Sequence, residues 1–401
     1  MKKCLLIVLL LVMFLPIVSA CWNQKELTDL AFIMALGIDR GKDKKFHLSV
    51  QIVNPGNVST GQTGGGQGLP IVVYKSAGNT LTEGARNLTK QISRRLYYAH
   101  TNLVVISEEV ARTDMLDILD ALDRDPEFRT TTELVVARNS SAEEMISTLS
   151  HLDKVPVTKI TKEIKVTEKM LGENLHITID DILVSLVSNG KQPVANGVKL
   201  IGNKDEVGKS DFLQRTKADT IAMVDGLAIF RTGKLKGWVD QKDARGVVWI
   251  LDKAESTAIN VNWNGKKNAL SIAPIRSKTK VSTMMKYGKP VINVHIENEG
   301  WVSEANTDID LANPKVIKKI DQKVESEIKK EVEDSIKAVQ KKKSDVFGFG
   351  EVIHRTYPMY WSKIKTDWNN RFPELHVNVV VDSYVRREGI RVNPFWDNLT
   401  K

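Results

Sequence analysis

Along the first half of the chain, continuous aliphatic runs alternate with segments whose apolar positions recur every three or four residues. These are the patterns of buried strands and amphipathic helices respectively. Ala31 to Ile38, Phe46 to Val53 and Ile71 to Tyr74 read as strands, Leu81 to Leu96 as a helix, and Leu103 to Ile106 as a short buried strand. Met115, Ile118, Leu119 and Leu122 share one face of a helix predicted over Asp114 to Leu122, after which Leu134 to Ala137 returns to strand. Helices follow at Ser141 to Leu149, where the serine can cap the turn ahead of Glu143 and Glu144, and at Ile179 to Val187. Such alternation predicts an α/β or α+β lobe rather than a bundle.

The pattern changes beyond a charged stretch, 201–217, which reads as a linker or seam. Ala218 to Arg231, Leu235 to Val239, Ala258 to Trp263, Ala269 to Ile275 and Pro290 to Trp301 are mainly strand-like, with a helical stretch near Arg245 to Leu251. Asn313-Pro314 then opens the longest helix, a capping side chain followed by a proline whose missing N–H costs nothing there. Val316, Ile317, Ile320, Val324, Ile328, Val332, Ile336 and Val339 form its apolar stripe. From Pro314 to Lys343 ten lysines face six acids, a solvated outer face or, less simply, contact with an anionic surface. The expected fold is α+β with multi-domain mixed α/β lobes. Residues 21–200 form an N-terminal region of alternating strands and helices, and 218–398 a mainly antiparallel sheet with one long amphipathic helix.

The first twenty residues stand apart. Met1-Lys2-Lys3 is a basic start, and Cys4 to Val18 is an uncharged, mostly aliphatic run. That run is short for a bilayer core, which needs about 20 apolar residues, so 1–20 is expected to be a cleaved export signal. Val18-Ser19-Ala20-Cys21 places small side chains directly before a cysteine, the pattern of a lipobox. Only a thiol can take the diacylglyceryl group there; cleavage between Ala20 and Cys21 then leaves Cys21 as an acylated N-terminus. The plainer alternative is a secretory signal whose cleavage site happens to hold a cysteine. Two or more acyl chains hold a protein stably on a membrane where one does not.

Composition narrows the chemistry. The 401 residues are 42% hydrophobic and 27% charged, values of an ordinary globular protein, and Cys4 and Cys21 are the only cysteines, so no disulfide framework or cysteine-rich zinc module exists. A net charge of +9 is a moderate excess that calls for no nucleic-acid partner. Gly208-Lys209-Ser210 invites a phosphate-loop reading, but Asn203 stands where the loop's first glycine must be. No two of the seven histidines are closer than 22 positions, HExxH and GxSxG are absent, and no metal site or catalytic constellation is nominated. His100, after Tyr97-Tyr98, reads as a strand-edge histidine or a pocket residue. Arg124-Asp125-Pro126-Glu127 reads as a locally paired turn. The tryptophans from Trp238 onward read as core, with one or two free to anchor a partner. Pro55 to Gly68, with six glycines and no charge, reads as a surface loop.

Five segments taken in order resemble one family. CWNQKELTDLAFIMALGID from Cys21, HTNLVVISEE from His100, RDPEFR from Arg124, GLAIFRTGKLKGWV from Gly226 and DVFGFGEVIHRTYPMYW from Asp345 are similar to the Ger(x)C family, the lipoprotein C subunits of nutrient germinant receptors of spore-forming bacteria. The resemblance covers almost the whole mature chain and departs from the family at the six-glycine loop. It implies a three-domain mixed α/β fold, so that one of the two regions splits. It also implies a noncatalytic subunit with no cofactor beyond the covalent lipid on Cys21, held on the outer face of the inner spore membrane. Its implied partners are a multi-spanning A subunit and a transporter-like B subunit. Neither the nutrient nor any direct contact with it is implied. A solute-binding lipoprotein of an importer is the competing expectation and demands two doubly wound lobes; an exported cell-wall hydrolase is the third, with no carboxylate pair to nominate.

Overall fold

The computed structural model describes residues 26–58 and 68–386. Nine strands form the larger sheet. β1 (Leu30–Arg40) and β2 (Phe46–Val53) make an antiparallel pair extended by β3 (Ile71–Gly78), and the short β4 (Arg95–Tyr97) lies parallel to the start of β1. On its other side β1 runs parallel to β5 (Leu103–Ser107), which is followed by β6 (Glu133–Ala137) and β7 (Val194–Gly202) in the same direction. β8 (Thr220–Arg231) and β9 (Lys234–Val239) close the sheet antiparallel.

The apolar runs are continuous where both faces are covered, as expected for parallel strands packed between helices. On β5, Val104 and Ile106 point into one core with Leu88, Met115, Ile118 and Leu122, contributed by helices α1 (Leu81–Leu88) and α3 (Met115–Arg124), α2 (Glu108–Thr113) lying between them. Leu103 and Val105 point the other way, onto Met145, Ile146, Val157, Ile160 and Ile164 of α4 (Ala142–Ser147) and α5 (Pro156–Leu171). The first core also takes Ile179 and Ile182 of α6 (Ile179–Val187) and continues through Trp249 of α7 (Gln241–Ile250) into the second sheet, so the two sheets share one interior.

That second sheet has the order β10 (Ile259–Trp263), β11 (Lys266–Lys286), β12 (Lys289–Ala305) and β13 (His376–Arg386), with only the last pair parallel. Its cover is α8 (Pro314–Gln340), started by the Asn313 side chain accepting from Lys315 N at 3.0 Å. The predicted stripe from Ile320 to Val339 is buried. Asp321 and Glu325 accept from Val385 N at 2.7 Å and Ser383 N at 3.1 Å, which sets the helix against β13.

Several sequence expectations change. The helix predicted to Leu96 ends at Leu88, where Thr89 turns its hydroxyl onto the Arg86 carbonyl at 2.6 Å. Ile92 and Leu96 continue the four-residue spacing by coincidence: Leu96 is a strand residue opposite Ala31. The 201–217 stretch does not divide two sheets, because it joins β7 to β8, direct neighbours in one sheet. The change of sheet comes after α7 instead. Sequence reading also passes over α5 and β7. Two doubly wound lobes are not what the strands form, against the importer plan. Of the glycine-rich loop, Pro55–Val58 is a helical turn whose Asn57 donates to the Leu69 carbonyl at 2.9 Å; residues 59–67 lie outside the described residues.

Candidate interaction site

Chemistry concentrates in residues 344–376, where the chain leaves α8 and returns to the sheet. Asp345 is fully buried. Its carboxylate accepts from the backbone N–H groups of Gly348 (3.0 Å), Phe349 (3.1 Å) and Gly350 (2.7 Å), the orphan donors opening α9 (Phe349–Thr356), and from Trp368 Nε1 at 3.0 Å. Burial pushes this carboxyl up to about 7 against the pull of those four donors. Through its carbonyl Asp345 also accepts from Gln192 N at 2.8 Å, which ties the segment to the approach to β7.

Beside it, Gly190 and Gly350 bring two backbones together. A Cβ on Gly350 would lie 2.7 Å from the Gly190 Cα, and one on Gly190 2.5 Å from the Trp361 ring. Ser188 bonds Glu351 across the same contact. Trp361 and Trp368 meet edge to face at 5.2 Å, and Phe347, Phe349 and Phe372 stack behind them. This packing fixes α10 (Pro358–Ile364) and α11 (Trp368–Arg371) against the start of β13.

A cleft of about 550 Å³ opens between those helices and the tip of the β11–β12 hairpin. Tyr287, Tyr360 and Trp368 supply aromatic surface; Lys286, Lys289, Arg371 and His376 supply donors; Glu374 is its acid. Nothing in this set pairs a nucleophile with a base, and among the described residues no three His, Cys, Asp or Glu side chains gather to hold a metal. The cleft's aromatic faces and cationic donors are suited to recognising an anionic surface.

The residues singled out in the sequence scatter. Ala20 and Cys21 lie outside the described residues. His100 is exposed, its ring against Phe32 at 5.4 Å and Tyr97 at 5.6 Å, and lines no cleft with the groups above. Arg124 pairs with Asp120 at 2.8 Å, and Asp125 accepts from Glu127 N at 2.9 Å, which makes that segment the local turn expected. Gly208-Lys209-Ser210 sits in short turns between β7 and β8, Lys209 facing Glu206 at 3.5 Å, with no strand-to-helix loop to hold phosphate. Trp249, Trp263, Trp361 and Trp368 are core residues, whereas Trp238 is half-buried under the Arg138 guanidinium, 4.8 Å from its ring. Arg138 in turn bonds Asp225 at 2.9 Å and Asp240 at 2.6 Å, joining β6 to β8 and to the end of β9.

Asp345 was missed by sequence reasoning. The available signal was an acid three residues before a glycine that starts a helix, with aromatics on both sides. Its role depends on Trp368 and Gln192, which no local pattern connects to it.

Comparison with known proteins places these features in context. Residues 23–200 match the family model described as spore germination protein N-terminal domain, and residues 225–389 match that described as spore germination B3/GerAC like, C-terminal. The chain is similar to spore germination protein KC of Bacillus subtilis (strain 168), 41% identical over 398 residues and covering 98% of each chain. Spore germination protein GerQC of Bacillus cereus is 22% identical, with 97% of this chain and 99% of that protein aligned. In fold the chain is similar to the crystal structure of the GerBC protein, with a TM-score of 0.54 at 19% identity, covering 90% of this chain and 99% of that one.

Proposed function

We propose, from the premise that this chain belongs to the GerAC-like spore germination family, that it is a noncatalytic subunit of a spore nutrient germinant receptor. A role in germination follows from its relatives, which are spore germination proteins. In this reading the mature chain is held by a lipid on Cys21 to the outer face of the inner spore membrane, where it assembles with the A and B membrane subunits.

The observation that carries the reading is the match to spore germination protein KC, 41% identical along 98% of both chains. The site agrees in kind: a rigid aromatic and basic cleft beside a fully satisfied buried carboxylate is built for contact. No helix among the described residues is long and apolar enough to cross a membrane, so in this reading the tether comes from the lipid. Tethering confines the subunit to two dimensions beside its partners and raises their effective concentration without a tight interface.

Deleting the gene in a strain that lacks other such receptors tests it. Spores are expected to remain dormant and intact but to lose germination toward particular nutrients. Normal germination toward every nutrient would overturn the assignment.

A further inference from the structure

The end of the molecule that holds the cleft is also the end by which the chain enters the fold. β1, β5, β6 and β7 are parallel, so all four begin at one end of the sheet: Ala35 is level with Leu103 and Leu103 with Glu133, Val135 lies opposite Asn196, and β1 starts five residues further out, at Leu30. The chain from Glu26 arrives at that edge through β1. Just ahead of β7, Gln192 and Gly190 touch Asp345 and Gly350, and Gln340 at the end of α8 donates to the carbonyls of Phe372 and Leu375 at 3.0 Å each. Three strand spacings, about 14 Å, separate β1 from β7. The entry of the described chain at Glu26, the aromatic segment and the β11–β12 tip, which projects beyond the Val291–His376 pair, therefore share one side.

That side carries an amphipathic tip. Tyr287 and Gly288, both with positive φ, form the two-residue turn, and Tyr287 is 95% exposed. Met284 and Met285 before it are 51% and 36% exposed, and Met359 beside the cleft is 82% exposed. Lys286 and Lys289 flank the turn and line the cleft with Arg371 and Glu374, Arg371 pairing with Asp367 at 3.3 Å; Lys363 and Lys365 are exposed on and just after the helix that walls it. Isolated exposed apolar side chains are ordinary, but methionines and a tyrosine at a projecting turn flanked by Lys286 and Lys289 match a membrane–water interface. There the ring and thioethers sit at headgroup depth, and the lysines are drawn to an anionic surface.

We propose that this end rests on the anionic surface of the bilayer, with the Met284–Lys289 tip at headgroup depth. The proposal takes its orientation from the lipid-anchored reading: the link from Cys21 to Glu26 spans at most about 17 Å, which keeps the same sheet edge close to the membrane.

The test uses the full lipidated chain in vesicles, with an environment-sensitive fluorophore on Y287C and, as a control, on N264C at the turn before the far end of β11. Vesicles containing phosphatidylglycerol should blue-shift the label at 287 and leave that at 264 unchanged. Pure phosphatidylcholine should shift neither, and K286E/K289E should abolish the shift while flotation with the vesicles persists. A chain that floats while the 287 label stays in water overturns the membrane-facing tip and leaves the anchor standing; a chain that does not float overturns both. A shift seen only when spore membrane proteins are present in the vesicles also overturns lipid contact and assigns the tip to a protein partner.

Discussion

Asp345 and Trp368 are 23 residues apart in sequence, yet the buried carboxylate accepts the indole N–H at 3.0 Å. This bond joins the start of α9 to α11, and with the three backbone donors it leaves Asp345 as the hub from which the aromatic wall of the cleft is hung.

Replacing Asp345 by alanine strands four buried donors. A loss of about 3 kcal/mol is expected from unpaired buried groups of this kind, measured by urea unfolding followed through tryptophan fluorescence. Unchanged unfolding in D345A would show that the wall stands without its hub.

Stability should also depend on pH in the unusual direction for an acid. Burial holds the Asp345 carboxyl near 7 in the folded chain against an ordinary 3.8, so the folded state binds a proton more tightly than the unfolded one. Stability from this group is fullest below about pH 4 and declines as pH rises toward 7. Glu133, also pushed up to about 7 by burial, adds to the same slope. Denaturation midpoints across that range should show a shallower decline in D345N than in the parent; an identical slope would remove Asp345 from the account.

At the Gly190–Gly350 contact, G350A places a methyl 2.7 Å from the Gly190 backbone, which cannot yield as a flexible side chain would. Overpacking of about 1–3 kcal/mol is expected, read from the same unfolding transition. Because the contact connects the approach to β7 with α9, the variant should also loosen hydrogen-exchange protection on both segments together.

Arg245 and Glu331 form a buried two-point ion pair between α7 and α8, at 2.8 and 2.5 Å, with Thr257 accepting from the same guanidinium at 2.9 Å. Removing either charge alone leaves the other buried and should cost about 3–5 kcal/mol, whereas the double replacement R245M/E331L should recover much of that loss. A loss in the double variant as large as in either single variant would mean that the pair's own attraction, not the cost of an orphaned charge, holds the helices.

Replacing Cys21 by alanine should abolish incorporation of radiolabelled fatty acid and release the chain from the membrane fraction. Retention without label would assign the hold to partner subunits rather than to the lipid.

Much of the architecture was legible because period and burial coincide. The strands from Ala31, Phe46 and Leu103, the Met115 helix face, the Ser141 cap and the α8 stripe all rest on neighbours within a few residues, where side-chain geometry is set by the local backbone. The 201–217 stretch reads as a seam, and charge and glycine mark an exposed connection equally well between two lobes and between two neighbouring strands. The family models leave residues 201–224 unmatched, yet the sheet runs across that gap through β7 and β8.

Order along the chain by itself determined most of the element types, the apolar faces and the family. Tertiary structure alone decided which strands are neighbours, that Asp345 answers to Trp368 and Gln192, and that the chain entry, the aromatic wall and the Tyr287 turn share a side. The physical reason is range: hydrophobic period and capping act over one or two turns, whereas a buried carboxylate or a glycine-on-glycine contact is defined by partners brought together only when distant segments pack.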